Sequence, residues 1–392
     1  VPYYLFAIVY AFLFASKVRE EDQISLPERI HLVFGKWAAV TAALLIFLLG
    51  VPAAHVLMLG SLVQLVTQLP LWICIVVSAV VAIAFVLKAG LLADVRVGIL
   101  AFIAMYVGFG VLVVACLQGE PFGLLWQRID PEPYRSWTGQ QGPIAVTTFF
   151  ILGAWTLVDP GFHQRVASAV SPKVSRTGVF VCVAFWFLFD GLMIVSGLYA
   201  IGHPLGLPEQ PLHIFPVLAD RVLPPGWKGL FLCGLVGTIV SAMVGYTLAS
   251  GASLGRELIN RVNDIQLEAS EVRLTRWGIA VASFCAIVVA VQLPSVVSIW
   301  YLWSGALVGP LLAPVWLAYR PKRSIPSIWV TGSMIVSSVA SLGWLFYGKR
   351  TGNDLLEVVW LGERFSLGTL IPSLSVSLSI LAIGWVVSRS KH

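Results

Sequence analysis

Asp190 is the one acid deep inside an apolar run, in the stretch Phe187-Leu188-Phe189-Asp190-Gly191. A charge at the centre of a bilayer costs at least about 2.5–3.5 kcal/mol on insertion scales. An acid kept there either handles protons or hydrogen-bonds a neighbouring helix, and Asp190 is the candidate for proton coupling. His55, in Val51-Pro-Ala-Ala-His55, reads as a buried, hydrogen-bonded imidazole. Gly153 interrupts another apolar run, which Asp159-Pro160-Gly161 ends early. A helix broken in lipid exposes N–H and C=O groups at heavy cost unless protein or a water-filled cavity meets them. Transporters use such breaks to bind solutes and ions at the midplane, although a Gly kink or a plain helix end gives the same pattern. The chain carries no Ser/His/Asp set, phosphate loop or HExxH, and His163 and His213 are isolated in loops. Cys74, Cys116, Cys182, Cys233 and Cys285 form no CxxC pair and behave as small hydrophobes. The sequence therefore predicts no enzyme, no disulfide, no metal site and no cofactor.

The elements that must position these residues follow from composition. Of 392 residues, 58% are hydrophobic and 11% charged, with mean hydropathy +0.89. Soluble domains carry about 25% charged residues. The apolar residues come in blocks of roughly 20, the length that crosses about 30 Å of hydrocarbon. Spans are predicted at 2–18, 37–66, 70–88, 96–117, 143–158, 178–202, 228–254, 275–293, 296–319, 325–347 and 366–388. The longest breaks, 118–142 and 203–227, are rich in Pro, Gly and Trp. The net charge of +6 sits in loops between spans, so it reports topology rather than a nucleic-acid surface.

Of the 25 Lys and Arg, only Arg128, Arg135, Arg221, Lys228, Lys349, Arg350 and Arg364 fall on one side of these spans. By the positive-inside rule the other side, holding Lys17, Arg19, Arg165, Lys173, Arg256, Arg276 and Arg389 among the rest, is cytoplasmic. Residue 1 then lies outside and His392 inside, in a multi-pass protein of the plasma (inner) membrane. Trp72, Trp126, Trp227, Trp300, Trp316 and Trp344 fall near span ends, where indole rings favour the headgroup region. The first run, with no basic n-region or cleavage site before it, is not expected to be a signal peptide.

Two stretches carry a resemblance. Asp159-Pro-Gly-Phe-His-Gln-Arg165-Val-Ala-Ser-Ala169 resembles the signature after the sixth core helix of the sodium:solute symporter family. Gly237-Thr-Ile-Val-Ser241-Ala-Met-Val-Gly-Tyr-Thr-Leu-Ala-Ser-Gly-Ala-Ser253 resembles its eighth core helix. Ser25-Leu-Pro-Glu28 is similar to the loop after the second core helix, and Ala89-Gly-Leu-Leu-Ala93 to the turn opening the fifth.

The resemblance implies an all-α fold, the leucine-transporter-like inverted five-plus-five helix repeat, over a single domain 1–392. About eleven helices are present. Residues 1–117 hold core helices two to five, 143–319 core helices six to ten and 325–388 two additional helices, with the first two helices of the family absent. It implies a secondary transporter of a small polar solute, working by alternating access. Gly153, Ala154 and Trp155 would contact the solute, since the family's sugar transporters place an aromatic gate at Trp155. Thr238, through its carbonyl, and Ser241 would contact a cation, with Ser241 lining a groove within reach of the break. The usual second hydroxyl is replaced by Ala242, and the Trp-Thr-Asp that often follows the fifth-helix turn reads Arg96-Val97-Gly98. Sodium coupling is therefore expected to be weak or absent. A solute sensor and an inactive fragment are the alternatives. The solute and the lipid bilayer are the partners expected.

Overall fold

The computed structural model describes residues 2–21, 23, 25–129, 142–202, 210–263, 268–320, 325–350, 356–360 and 363–390. Arg135, Lys322, Arg323, Lys391, the middle of the 118–142 break and the 203–209 loop lie outside the described residues.

Helix α1 (2–20) is α-helical over Pro2–Tyr10 and Ser16–Glu20 with a π-helical stretch, Ala11–Ala15, between them. The short α2 (Leu26–Phe34) starts where Ser25 accepts the Glu28 N–H and Pro27 fills the first turn, a start signal that needs no free N–H at proline. Then follow α3 (Lys36–Leu49), α4 (Ala53–Thr67), α5 (Leu71–Gly119), α6 (Phe122–Arg128), α7 (Gly142–Leu152), α8 (Pro160–Ala167) and α9 (Pro172–Gly202). The surface helix α10 (Ile214–Val222) precedes α11 (Pro225–Val262), α12 (Glu268–Gln292), α13 (Val296–Ala318), α14 (Ser327–Arg350) and α15 (Leu370–Arg389).

Among the described residues, eight helical stretches are at least 18 residues long and apolar enough to cross a membrane, among them α3 with α4, α9, α11 and α15. Their outward faces are apolar: Phe187 is 72%, Phe284 67% and Trp37 65% exposed. Such a surface suits hydrocarbon, not water. The chain is a multi-pass membrane protein.

The spans 70–88 and 96–117 are two apolar legs, Leu71–Leu87 and Val95–Gly119, of the helical stretch α5. The chain reverses direction between them. Ile75 lies against Gly60 of α4 and Val86 packs with Val244, whereas positions 98, 101, 105 and 108 meet Ser241, Gly237, Gly234 and Phe231 in turn. The two legs thus run in opposite senses beside α11. The fold is all-α apart from one short antiparallel hairpin, β1 (Leu356–Trp360) with β2 (Glu363–Leu367), in register Val358 opposite Phe365. Its second strand occupies the start of the span expected at 366–388, which begins as α15 at Leu370.

Small residues set the helix crossings, as they must where lipid removes the hydrophobic drive between helices. A Cβ at Gly255 would lie 2.4 Å from the Leu274 carbonyl carbon, and one at Gly234 2.6 Å from the Met105 nitrogen. Ser250 and Ser253 of α11 donate to the Phe47 and Ala43 carbonyls of α3 at 2.8 and 2.9 Å. This seam holds α3 and α11 together beside the site.

Candidate solute site

Two helices break at the same place. Gly50 ends α3 and Pro52 precedes α4. Pro52 has no N–H, so the Leu48 carbonyl four residues earlier loses its helical donor. The Trp303 indole Nε1–H of α13 donates to that carbonyl at 3.0 Å. The second break follows α7: residues Gly153–Leu157 tighten into a 3-10 turn, and Asp159 then caps α8 with Pro160 at its first position. Such a tight segment between two helices is the form a broken membrane helix takes when protein surrounds it. In α13 the stretch Ile299–Ser304 is a π-helix, and it faces the same space.

Between the breaks lies a cavity of 320 Å³. Its walls are aromatic: Tyr3 of α1, Trp155 of the 3-10 turn, Phe162 of α8, Trp186 of α9, Tyr246 of α11, and Trp300 and Trp303 of α13. His55 stacks on Tyr246 with ring centroids 5.1 Å apart. It is half-buried against this cavity, not sealed in a core as its sequence context implied. The polar centre is Asp159, 7% exposed. Tyr246 Oη donates to its Oδ2 at 2.6 Å, and the Phe162 N–H donates to its Oδ1 at 2.5 Å. Arg165, one and a half turns along α8, also lines the space. A cation and hydrogen-bond donors around a buried carboxylate offset part of its desolvation cost. Ring faces, one carboxylate and one guanidinium can hold a small polar solute by stacking and hydrogen bonding. Among the described residues no group of His, Cys, Asp and Glu has the arrangement of a metal site.

The residues singled out by sequence fall in three places. Trp155 faces the cavity, with Thr156. Gly153 is buried in the turn, and Ala154, 4% exposed, faces the other way, onto an apolar groove it shares with Leu157. Asp190 on α9 is bonded by Tyr4 Oη of α1, one helical turn from Trp186. Thr238 and Ser241 do not line the cavity. The Thr238 hydroxyl donates back to the Gly234 and Leu235 carbonyls, both at 2.9 Å. Ser241 faces α5: a Cβ at Gly98 would lie 3.1 Å from its Oγ. The structure thus puts side by side the hydroxyl position and the position where the motif lacks its acid.

Two functional residues carried little sequence signal. Asp159 stood out as the end of a span and the first residue of the 159–169 signature, not as the polar centre of a cavity, although an Asp before Pro-Gly is a helix N-cap pattern. Tyr246 was one letter in a ladder of small residues; a lone hydroxylated ring among Gly, Ala and Ser was the available hint.

An Arg-rich cluster stands where α2 meets the ends of α11 and α13. Glu257, 2% exposed, accepts from Ser25 Oγ and from Arg261 Nη2, each at 2.7 Å, and Arg256 approaches it to 3.6 Å. Arg29 donates through Nε to the Ala318 carbonyl at 2.9 Å. The α2 segment is thereby tied to the ends of α11 and α13.

Comparison with known proteins agrees with this architecture. The model of the sodium:solute symporter family matches residues 3–323. A solved structure of a Na+-coupled sialic acid symporter, in a substrate-bound outward-open state, aligns with a TM-score of 0.75 at 15% identity. The alignment covers 99% of this chain and 82% of that one. No curated protein matches.

Proposed function

Because this chain belongs to the sodium:solute symporter family, we propose that it moves a small polar solute by alternating access through the aromatic cavity between the two helix breaks. The observation that carries this reading is the cavity itself: two interrupted helices meet there around a buried, hydrogen-bonded carboxylate. In this reading Trp155 stacks on the solute, Asp159 and Tyr246 fix its polar groups, and the Glu257 cluster opens when the cavity faces the cytoplasm. Residues 1–117 and 143–319 supply core helices two to ten, with the C-terminus in the cytoplasm of a cell whose plasma membrane holds the protein.

The ion is a separate proposal. Ser241 beside Gly98 offers one hydroxyl where the family motif offers two and an acid, so sodium drives transport weakly or not at all. Thr238, its hydroxyl turned back into the helix, contributes at most its carbonyl. Asp190, sharing a hydrogen bond with Tyr4, is the candidate for proton coupling. The test is uptake into proteoliposomes of radiolabelled sugars, amino acids and quaternary amines under imposed sodium or proton gradients. The expected result is uptake of one solute class that proton gradients stimulate and Asp190→Asn uncouples, leaving exchange intact. A steep sodium requirement abolished by Ser241→Ala would overturn the ion assignment, and no uptake of any solute would overturn transport.

A further inference from the structure

A second concavity lies on the other side of the broken helix. It is a groove of 510 Å³ between α13 and α15, with mostly apolar walls that include Leu312 of α13 and Leu378 of α15. It also takes in Ala154 and Leu157, the residues of the 3-10 turn that flank Trp155 and Thr156 of the solute cavity. At the end where α13 and α15 finish stand two tryptophans, Trp316 and Trp385. Each carries a guanidinium over its ring face: Arg320 at 5.0 Å from the Trp316 centroid and Arg389 at 4.1 Å from the Trp385 centroid. Both arginines are exposed.

We propose that this groove binds one anionic phospholipid, its acyl chain between Leu312 and Leu378 and its phosphate between Arg320 and Arg389. The lining side chains are all Ala, Leu, Ile and Trp, which disfavours a polar solute. Two tryptophans and two arginines stand at the mouth, the composition of a headgroup boundary. Basic pockets between membrane helices bind anionic headgroups by this charge complementarity, and arginine matches a phosphate with paired N–H donors. A cation–π contact holds each guanidinium over its ring without using up all its donors. The reading depends on α13 and α15 spanning a bilayer, and not on which solute, if any, the other cavity takes. The far end of the acyl chain would abut the back of the turn that carries Trp155, so that the lipid and solute sites share a wall.

The test is native mass spectrometry of the delipidated full chain titrated with phosphatidylglycerol or phosphatidylcholine. One phosphatidylglycerol is expected to bind about tenfold or more tightly than phosphatidylcholine, at roughly a factor of five per arginine. The double variant R320Q/R389Q should lose that preference while keeping its elution volume. Leu378→Trp should fill the groove and displace both lipids. If the double variant does not fold, salt decides on the wild type: the phosphatidylglycerol preference should shrink as ionic strength rises. Equal binding of both lipids, a preference unmoved by salt or by the arginines, or a mass doubling that Leu378→Trp abolishes would each overturn the proposal, the last in favour of a second copy of the chain.

Discussion

Trp303→Phe tests whether the first helix break is held open by a borrowed hydrogen bond. Pro52 removes the amide that would serve the Leu48 carbonyl, and the Trp303 indole, 3.0 Å away, replaces it. Phenylalanine keeps an aromatic ring and loses the donor. The Leu48 carbonyl then keeps only the longer bond from the Val51 N–H, at 3.4 Å, a loss of about 1 kcal/mol, and the smaller ring adds a packing loss of similar order. The two terms separate in a double-mutant cycle. In a Pro52→Ala background residue 52 regains an N–H that can serve Leu48, while the packing loss is unchanged. Trp303→Phe should therefore cost about 1 kcal/mol less there than in the wild type, a coupling expected only of groups that share a partner. Unfolding by SDS in mixed micelles, followed by circular dichroism, gives the four free energies. Equal costs in both backgrounds would refute the reasoning: the indole would then be packing against α3 without standing in for the missing amide.

Gly255→Val should lower the unfolding midpoint sharply, with a loss of about 2 kcal/mol or more, because even its Cβ meets the Leu274 backbone at 2.4 Å; an unchanged midpoint would contradict the close α11–α12 crossing. Gly98→Asp with Ala242→Ser should create a sodium-induced rise in thermal stability where the wild type shows little, since it returns a carboxylate and a second hydroxyl to the Ser241 neighbourhood. Outside the membrane-spanning helices, His31 has its pKa lowered from 6.5 by desolvation and secondarily by Arg261. A histidine held neutral favours the folded state above its unfolded pKa, and that contribution is lost as pH falls below about 6.5. His31→Gln should flatten the fall in stability between pH 7 and pH 5 (roughly the histidine range), and an identical fall in the variant would remove His31 from the account. Cysteines placed at 128 and 173 should differ in labelling by an impermeant maleimide, 128 reacting from outside and 173 not; strong external labelling at 173 would invert the topology.

The spans were legible because lipid imposes one length and one composition on any crossing helix. The second break of the site was legible too, since Gly153 and Asp159-Pro160-Gly161 both punctuate a helix. The first break was harder. Val51-Pro52 sits inside a run, 37–66, whose hydropathy never drops, and proline in a membrane helix is common enough to pass as a kink. Facing was harder still. Ala154 and Trp155 are adjacent, yet a 3-10 turn sends them to different cavities, and no periodicity distinguishes the two in five residues. The bond from Tyr246 to Asp159 joins residues 87 positions apart, which a single sequence does not pair. The strands 356–360 and 363–367 left no mark in the span reading, because almost all of their residues fall in the break between 347 and 366, where hydropathy alone gives a loop.

The central claim is that solute passes through the cavity between the two breaks. Counterflow in proteoliposomes tests it most directly, because exchange of a radiolabelled solute across the membrane needs no driving ion. For the solute class that the wild type exchanges, Trp155→Ala and Asp159→Asn should each reduce the initial rate by about tenfold or more, the loss of one hydrogen bond to a charged group or one ring face. Ala154→Val, on the groove side of the same turn, should leave the rate within about twofold. Undiminished counterflow in both cavity variants would contradict the account.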